Sequence, residues 1–156
     1  MSFRLELLTP ERQVLERQVD RVSLPTAEGE MTVLSHHVPL VTMLVPGVIR
    51  LIQAEDEEEV AVSGGFIYVQ SNGVVRVLAD TAERGHELTL SVIEAARLRA
   101  EQVMKEAISA DDTAYAAAAA SLERELARYK VAHKYHAAKG TPLADAARIS
   151  SENNSE

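Results

Sequence analysis

The hydrophobic period of this chain changes once, at Gly85. Before it, apolar residues alternate with polar ones in short runs. Phe3, Leu5 and Leu7 stand against Arg4 and Glu6, Val19, Val22 and Leu24 stand among charges in QVDRVSLP, and GVIRLIQ is β-branched and apolar around Arg50. Successive side chains of a strand point to opposite faces, so a period of two fits strands with one face in a core. After Gly85, Val92, Ala96, Arg99/Ala100, Val103 and Ala107 return at helical spacing. Tyr115, Leu122, Tyr129 and His136 then recur every seven residues, interleaved with Ala119, Leu126 and His133. These patterns predict a β part over 1–84, a helical part over 85–140 and a polar, disordered tail over 141–156.

Turn residues divide the first part into short strands. Pro25 with Gly29, Pro39, Pro46-Gly47, Gly64-Gly65 and Asn72-Gly73 fall at the intervals of an all-β sandwich or barrel. GFIYVQSNGVVRVLAD reads as a hairpin, with Asn72-Gly73 supplying the positive φ angles of a tight turn. The acidic run Glu55 to Glu59 lacks the spaced ligands and bending glycine of a calcium loop, and reads as a solvated hairpin tip. In the second part, Ser91 and Glu94 have the spacing of a capping box, and Asp111 and Asp112 suit the start of a second helix. The short connection between the helices predicts an antiparallel hairpin. Its alanine run, Ala114 to Ser121, favours helix but buries little apolar surface, so the hairpin is expected to be marginal and able to move.

Charge and composition exclude several functions. A formal net charge of −8 disfavours general nucleic-acid binding, which needs clustered positive charge. With no cysteine there are no disulfides, thiolate metal sites or cysteine nucleophiles. No stretch reaches the apolar length of a membrane span, and MSFRLELLTP lacks the basic leader and apolar core of a secretory signal. His36 and His37, near Glu28 and Glu30, raise the question of a catalytic or metal site. Neighbours in an extended chain point apart, no further His occurs before His86, and no nucleophile elbow or phosphate-binding glycine loop is present. No cofactor and no metal are expected.

EGEMTVLSHHVPLVTMLVPGVIRLI, then VSGGFIYVQSNGVVRVLADTAERG, then an alanine-rich helical hairpin resembles the epsilon subunit of bacterial and chloroplast F-type ATP synthase. An acidic-Gly turn, a Gly-His-Ala-Pro-like segment, Pro-Gly, Ser-Gly-Gly and Val-Leu-Ala-Asp occur in family order over about residues 3 to 139. The resemblance implies a sandwich of two β-sheets with a mobile C-terminal pair of helices. It implies a non-catalytic subunit at the foot of the rotating central stalk, packed on the gamma subunit and touching the polar loops of the membrane-embedded c-ring. Such a subunit couples ion-driven rotation to ATP synthesis, peripherally on the cytoplasmic face of the bacterial inner membrane. In many members the helices also extend into the alpha/beta head and block ATP hydrolysis.

Carried over residue by residue, the resemblance puts the ring and gamma contact on Glu28, Gly29, Glu30, Met31, His37 and Pro39. His37 lines up with the family histidine, and His36 takes the usual glycine position. Inhibition in the family relies on positive charge on the second helix meeting an acidic loop of the beta subunit, which here implies Arg124, Arg128, Lys130 and Lys134. The ATP-binding motif Ile/Leu-Asp-x-x-Arg-Ala is lost, since Thr89 and Val92 replace its acid and base, so weak or no nucleotide binding is expected. Arg97 and Arg99 are the nearest remaining bases. The alternative is a sandwich-and-hairpin interaction module unrelated to the synthase.

Overall fold

The structure is a computed structural model that describes residues 1–108 and 111–139. The expectation for the tail 141–156 falls outside the described residues. The chain divides after Glu83 into two compact units. The first is built from strands β1 (Phe3–Leu8), β2 (Gln13–Val19), β3 (Arg21–Thr26), β4 (Gly29–Leu34), β5 (Leu40–Leu44), β6 (Gly47–Gln53), β7 (Asp56–Val62), β8 (Gly65–Val69), β9 (Val74–Ala79) and β10 (Ala82–Arg84). They make two five-stranded layers, β4-β3-β6-β7-β10 and β5-β8-β9-β1-β2, joined at one corner by the pairing of Thr26 with Leu44. β1 runs parallel to β9, whereas β1–β2, β3–β4, β3–β5, β3–β6, β5–β8, β6–β7 and β8–β9 are antiparallel.

The alternation read from the sequence fills the space between the layers. Leu5 and Leu7, Val22 and Leu24, Ile49 and Leu51, Val60 and Val62, and Ile67 and Val77 form one aliphatic core. Opposite the joined corner, Arg17 closes the sandwich. It donates to Glu58 at 2.9 Å and Asp56 at 3.1 Å, and to the Gln53 side chain at 3.2 Å.

Three local expectations are corrected. QVDRVSLP is two strands, because Asp20 turns the chain from one layer to the other. Its amide donates to Ile52 O at 2.8 Å and its carboxylate accepts from Ala54 N at 2.7 Å. Pro25 marks no break but lies inside β3, where that edge changes partner from β6 at Ser23 to β5 at Thr26. A residue without an N–H is tolerated there because no ladder bond is due. The acidic run is mostly not a tip: Ala54 and Glu55 make the turn, while Asp56 to Glu59 belong to β7. The β8–β9 hairpin forms as predicted, but only Gly73 has positive φ (+79°), so its turn is the longer type with one left-handed residue.

In the second unit a short 3-10 turn, Gly85–Glu87, precedes α1 (Leu90–Ala107) and α2 (Asp112–Ala138). Asp111 caps α2 by accepting from Ala114 N at 2.7 Å. Ser91 does not start α1: Thr89 is its N-cap, and Ser91 is already the second helical residue. A bond of the capping-box kind is made in the 3-10 turn before the helix, where Glu87 accepts from Arg84 N at 2.7 Å. The seven-residue seam is also shifted. Tyr115 is exposed and Ala119, Leu126 and His133 are only half-buried, while Ala118, Glu125 and Ala132 are buried together with Ala127 and Val131, and Leu122, Tyr129 and His136 are half-buried. Positions spaced alternately by four and three share one helix face, which explains why these two series go together.

Candidate interaction surfaces

The predicted contact residues of the sandwich lie at opposite ends of β4. At its start, Ala27 and Glu28 make the turn from β3, tied by Thr26 Oγ1, which donates to Gly29 O at 2.7 Å. Gly29 has φ +115°, which strongly favours glycine. Glu28 and Glu30 are exposed, whereas Met31 is half-buried and packs against the core. Arg50 reaches across the outer face of the sheet and donates to both Glu30 oxygens at 2.6 Å. That hydrogen bond, and then the charge of Glu30, holds the Arg50 guanidinium above its usual range.

At the other end of β4, residues 35–39 loop over to β5. His37 N donates to Leu34 O at 3.2 Å, and His36 between them takes φ +64°. His36 Nε2 lies 3.3 Å from Met1 Sδ, while His37 Nδ1 donates to Val38 O at 2.8 Å. The histidines therefore have separate partners, but because they occupy a turn rather than because an extended chain points them apart. Pro39 is exposed beside them. Both histidines line a cleft of about 510 Å³ with Arg4, Gln18 and Gln70. Five strand steps of about 3.3 Å put this loop on the order of 17 Å from the acidic turn. The six predicted residues are thus not one site.

From the loop, an apolar surface runs onto the outer face of the second layer. Val41 pairs with Tyr68, and Met43 with Phe66, which pairs in turn with Leu78. All five side chains are exposed, Val41 by 62% and Met43 by 59%, and Val38 in the loop is exposed by 68%. An apolar patch of this kind on a folded chain marks a contact surface. The sequence reading missed it. The available signal was that the strands LVTML and GFIYV are apolar at positions of both parities, so each has an apolar face left over once the core is filled.

On α2, Arg124 and Arg128 are not simple solvated cations. Glu125, 5% exposed, accepts from Arg128 Nη1 at 2.8 Å and lies 3.5 Å from Arg124 Nε. Lys130 and Lys134 are exposed. Arg97 of α1 stands over the Tyr129 ring, 5.0 Å from its centre, and pairs with Glu94 at 3.2 Å and Glu101 at 3.6 Å. Thr89 occupies the N-cap position of α1 without a side-chain cap bond, and Val92 is exposed. Among the described residues no group of His, Cys, Asp and Glu could hold a metal ion, and no helix is long and apolar enough to cross a membrane.

Residues 2–85 match the family model of the ATP synthase delta/epsilon chain β-sandwich domain. The ATP synthase epsilon chain of Herpetosiphon aurantiacus is 43% identical over 132 residues, covering 85% of this chain and 95% of its own. That of Dehalococcoides mccartyi is 41% identical over 133 residues, covering 85% and 94%. The chain belongs to the epsilon-chain family of ATP synthases.

Family membership extends beyond the sandwich, because the matched relatives cover most of the chain including the helices, and it sets aside the unrelated interaction module. Among solved structures, a chain of the Euglena gracilis mitochondrial ATP synthase, described with OSCP, F1 and c-ring, has a TM-score of 0.66 at 26% identity, covering 78% of this chain and 76% of its own. A Tetrahymena thermophila mitochondrial ATP synthase chain, from a structure of central stalk and c-ring, shares the fold at TM-score 0.57 and 16% identity, covering 83% and 95%. In this epsilon-family chain, His36 adopts a left-handed conformation of the kind that glycine takes without steric cost.

Proposed function

We propose that this chain is the central-stalk epsilon subunit of an F-type ATP synthase, a non-catalytic part that couples ion-driven rotation to ATP synthesis. The observation that carries the reading is the separation of two unlike surfaces on one rigid sandwich. The acidic turn at Glu28 to Glu30 suits the polar loops of a c-ring. The apolar face of Val41, Met43, Phe66, Tyr68 and Leu78, continued through Val38 beside His37 and Pro39, suits the gamma subunit. A part held by two partners at once transmits torque between them.

The cations of α2, led by Lys130 and Lys134 on its exposed side, suit an acidic loop of the catalytic beta subunit when the helices extend. The chain is peripheral to the membrane, held on the cytoplasmic face of the bacterial inner membrane through the complex. The reaction belongs to the alpha/beta head, and neither nucleotide nor metal is assigned to this chain. The test is ATP-driven proton pumping by a complex depleted of this chain. Adding the full chain back restores pumping, and removing residues 86–156 leaves pumping intact but raises ATP hydrolysis. Pumping that does not depend on the chain would end the reading, and hydrolysis unchanged by the truncation would remove its inhibitory part.

A further inference from the structure

The two carboxylates of the acidic turn differ in what holds them. Among the described residues the Glu28 carboxylate has no hydrogen-bond or ion-pair partner, and only its backbone N–H is tied, donating to Thr26 Oγ1 at 3.3 Å. Glu30 is held from another strand. It stands opposite Pro25 of β3, while Arg50 of β6 stands opposite Ser23, so both lie on the outer face with β3 between them. Two strand spacings make roughly 10 Å, which the arginine and the glutamate span over the small side chains of Ser23 and Pro25. Arg50 Nη2 then donates to both Glu30 oxygens at 2.6 Å. Glu59, opposite Arg50 on β7, and Glu57 act on the same guanidinium by charge, but Glu30 acts more strongly, through its hydrogen bond and then its charge. Both side chains are nearly half exposed, at 44% and 49%, and ion pairs this open to water add little to folding stability. The consequence lies in what the turn presents: one of its two negative charges is compensated within the sheet and the other is not.

We propose that Arg50 is a positioning residue for the contact between the acidic turn and the c-ring. It holds Glu30 in place and cancels its charge, leaving Glu28 as the single uncompensated anion of the turn. The complementary loop therefore sets one cation against Glu28 and a neutral hydrogen-bonding group against Glu30. This rests on the reading of the turn as the ring contact. When the contact forms and water leaves, Glu30 without Arg50 would be an unpaired charge facing a neutral group, which is costly.

Exposed Ala27, in the same turn, offers a reporter position that leaves all three groups in place. Ala27→Cys carrying a short thiol-linked photo-crosslinker in the assembled synthase is expected to give a product with the c-ring subunit. Arg50→Gln in that background is expected to lower the yield by about tenfold, and adding Glu30→Gln to restore it to within about threefold, since the pair is neutral with or without its charges. Glu28→Gln is expected to lower the yield and to remove most of its sensitivity to salt, because the exposed charge pair with the ring is then gone. Urea unfolding of each variant confirms that the sandwich is intact. A product with another subunit overturns the reading of the turn, and this inference with it. A c-ring product whose yield Arg50→Gln leaves unchanged, or whose loss persists in the Arg50→Gln/Glu30→Gln pair, overturns the inference alone. So does a Glu28→Gln variant whose yield keeps its sensitivity to salt.

Discussion

Replacing His36 by glycine should make the sandwich more stable, although it deletes an imidazole. His36 holds φ +64°, a conformation that brings the Cβ of an L-residue close to the following carbonyl and costs roughly 1–2 kcal/mol. Glycine avoids that cost but loses more freedom on folding, which offsets about 0.4–1 kcal/mol. Because His36 is exposed and its side-chain contact is with Met1 Sδ, deleting the ring removes little else. His36→Ala removes the same ring while keeping the Cβ, so comparing the two variants isolates the backbone. His36→Gly is expected to exceed His36→Ala by about 1 kcal/mol, roughly 2–4 °C in melting temperature for a chain of this size. Urea unfolding followed by circular dichroism measures the difference. Equal stability, or a more stable alanine variant, would refute the left-handed turn at His36.

Other substitutions test the remaining framework. Gly65→Ala would put a methyl 2.0 Å from Leu78 O at φ +153°, so the sandwich should lose more than about 3 kcal/mol in the same unfolding assay, and a variant of ordinary stability would contradict the β8–β9 register. Gly85→Ala would bring a methyl to 2.7 Å from Tyr135 Cβ, and exchange of the last two turns of α2 should accelerate by about tenfold, corresponding to overpacking of about 1.4 kcal/mol. Unchanged exchange there would mean that the 3-10 turn does not pack on α2 in solution. Asp111→Ala should cost about 1 kcal/mol of helix stability by removing the acceptor for Ala114 N, read as faster exchange in the first turn of α2.

The two-part architecture was legible because hydrophobic period reports which faces are buried, and Leu5, Leu7, Ile49, Leu51, Ile67 and Val77 all occupy the core that their alternation implies. What escaped the sequence depended on pairing across distance. Pro25 looks like a break until β3 is seen to change partner beside it. Glu125 looks like one charge among many, yet it is buried, as are Ala118, Ala127, Val131 and Ala132 of the same helix. The apolar outer face emerges only when β5, β8 and β9 are placed side by side, since no single strand carries more than two of its residues. Glu28, Glu30 and Pro39 are all exposed, but a list in chain order could not reveal that β4 holds them apart.

Two partners on two surfaces is the central claim, and the absence of cysteine makes it directly measurable by placing one thiol at a time. Glu28→Cys and Met43→Cys, each carrying a short thiol-linked photo-crosslinker in the assembled synthase, report the neighbour of the acidic turn and of the apolar face. The account predicts that the Glu28→Cys product contains the c-ring subunit and the Met43→Cys product contains gamma. Crosslinking of both positions to the same subunit, or of either to neither of these two, would contradict it.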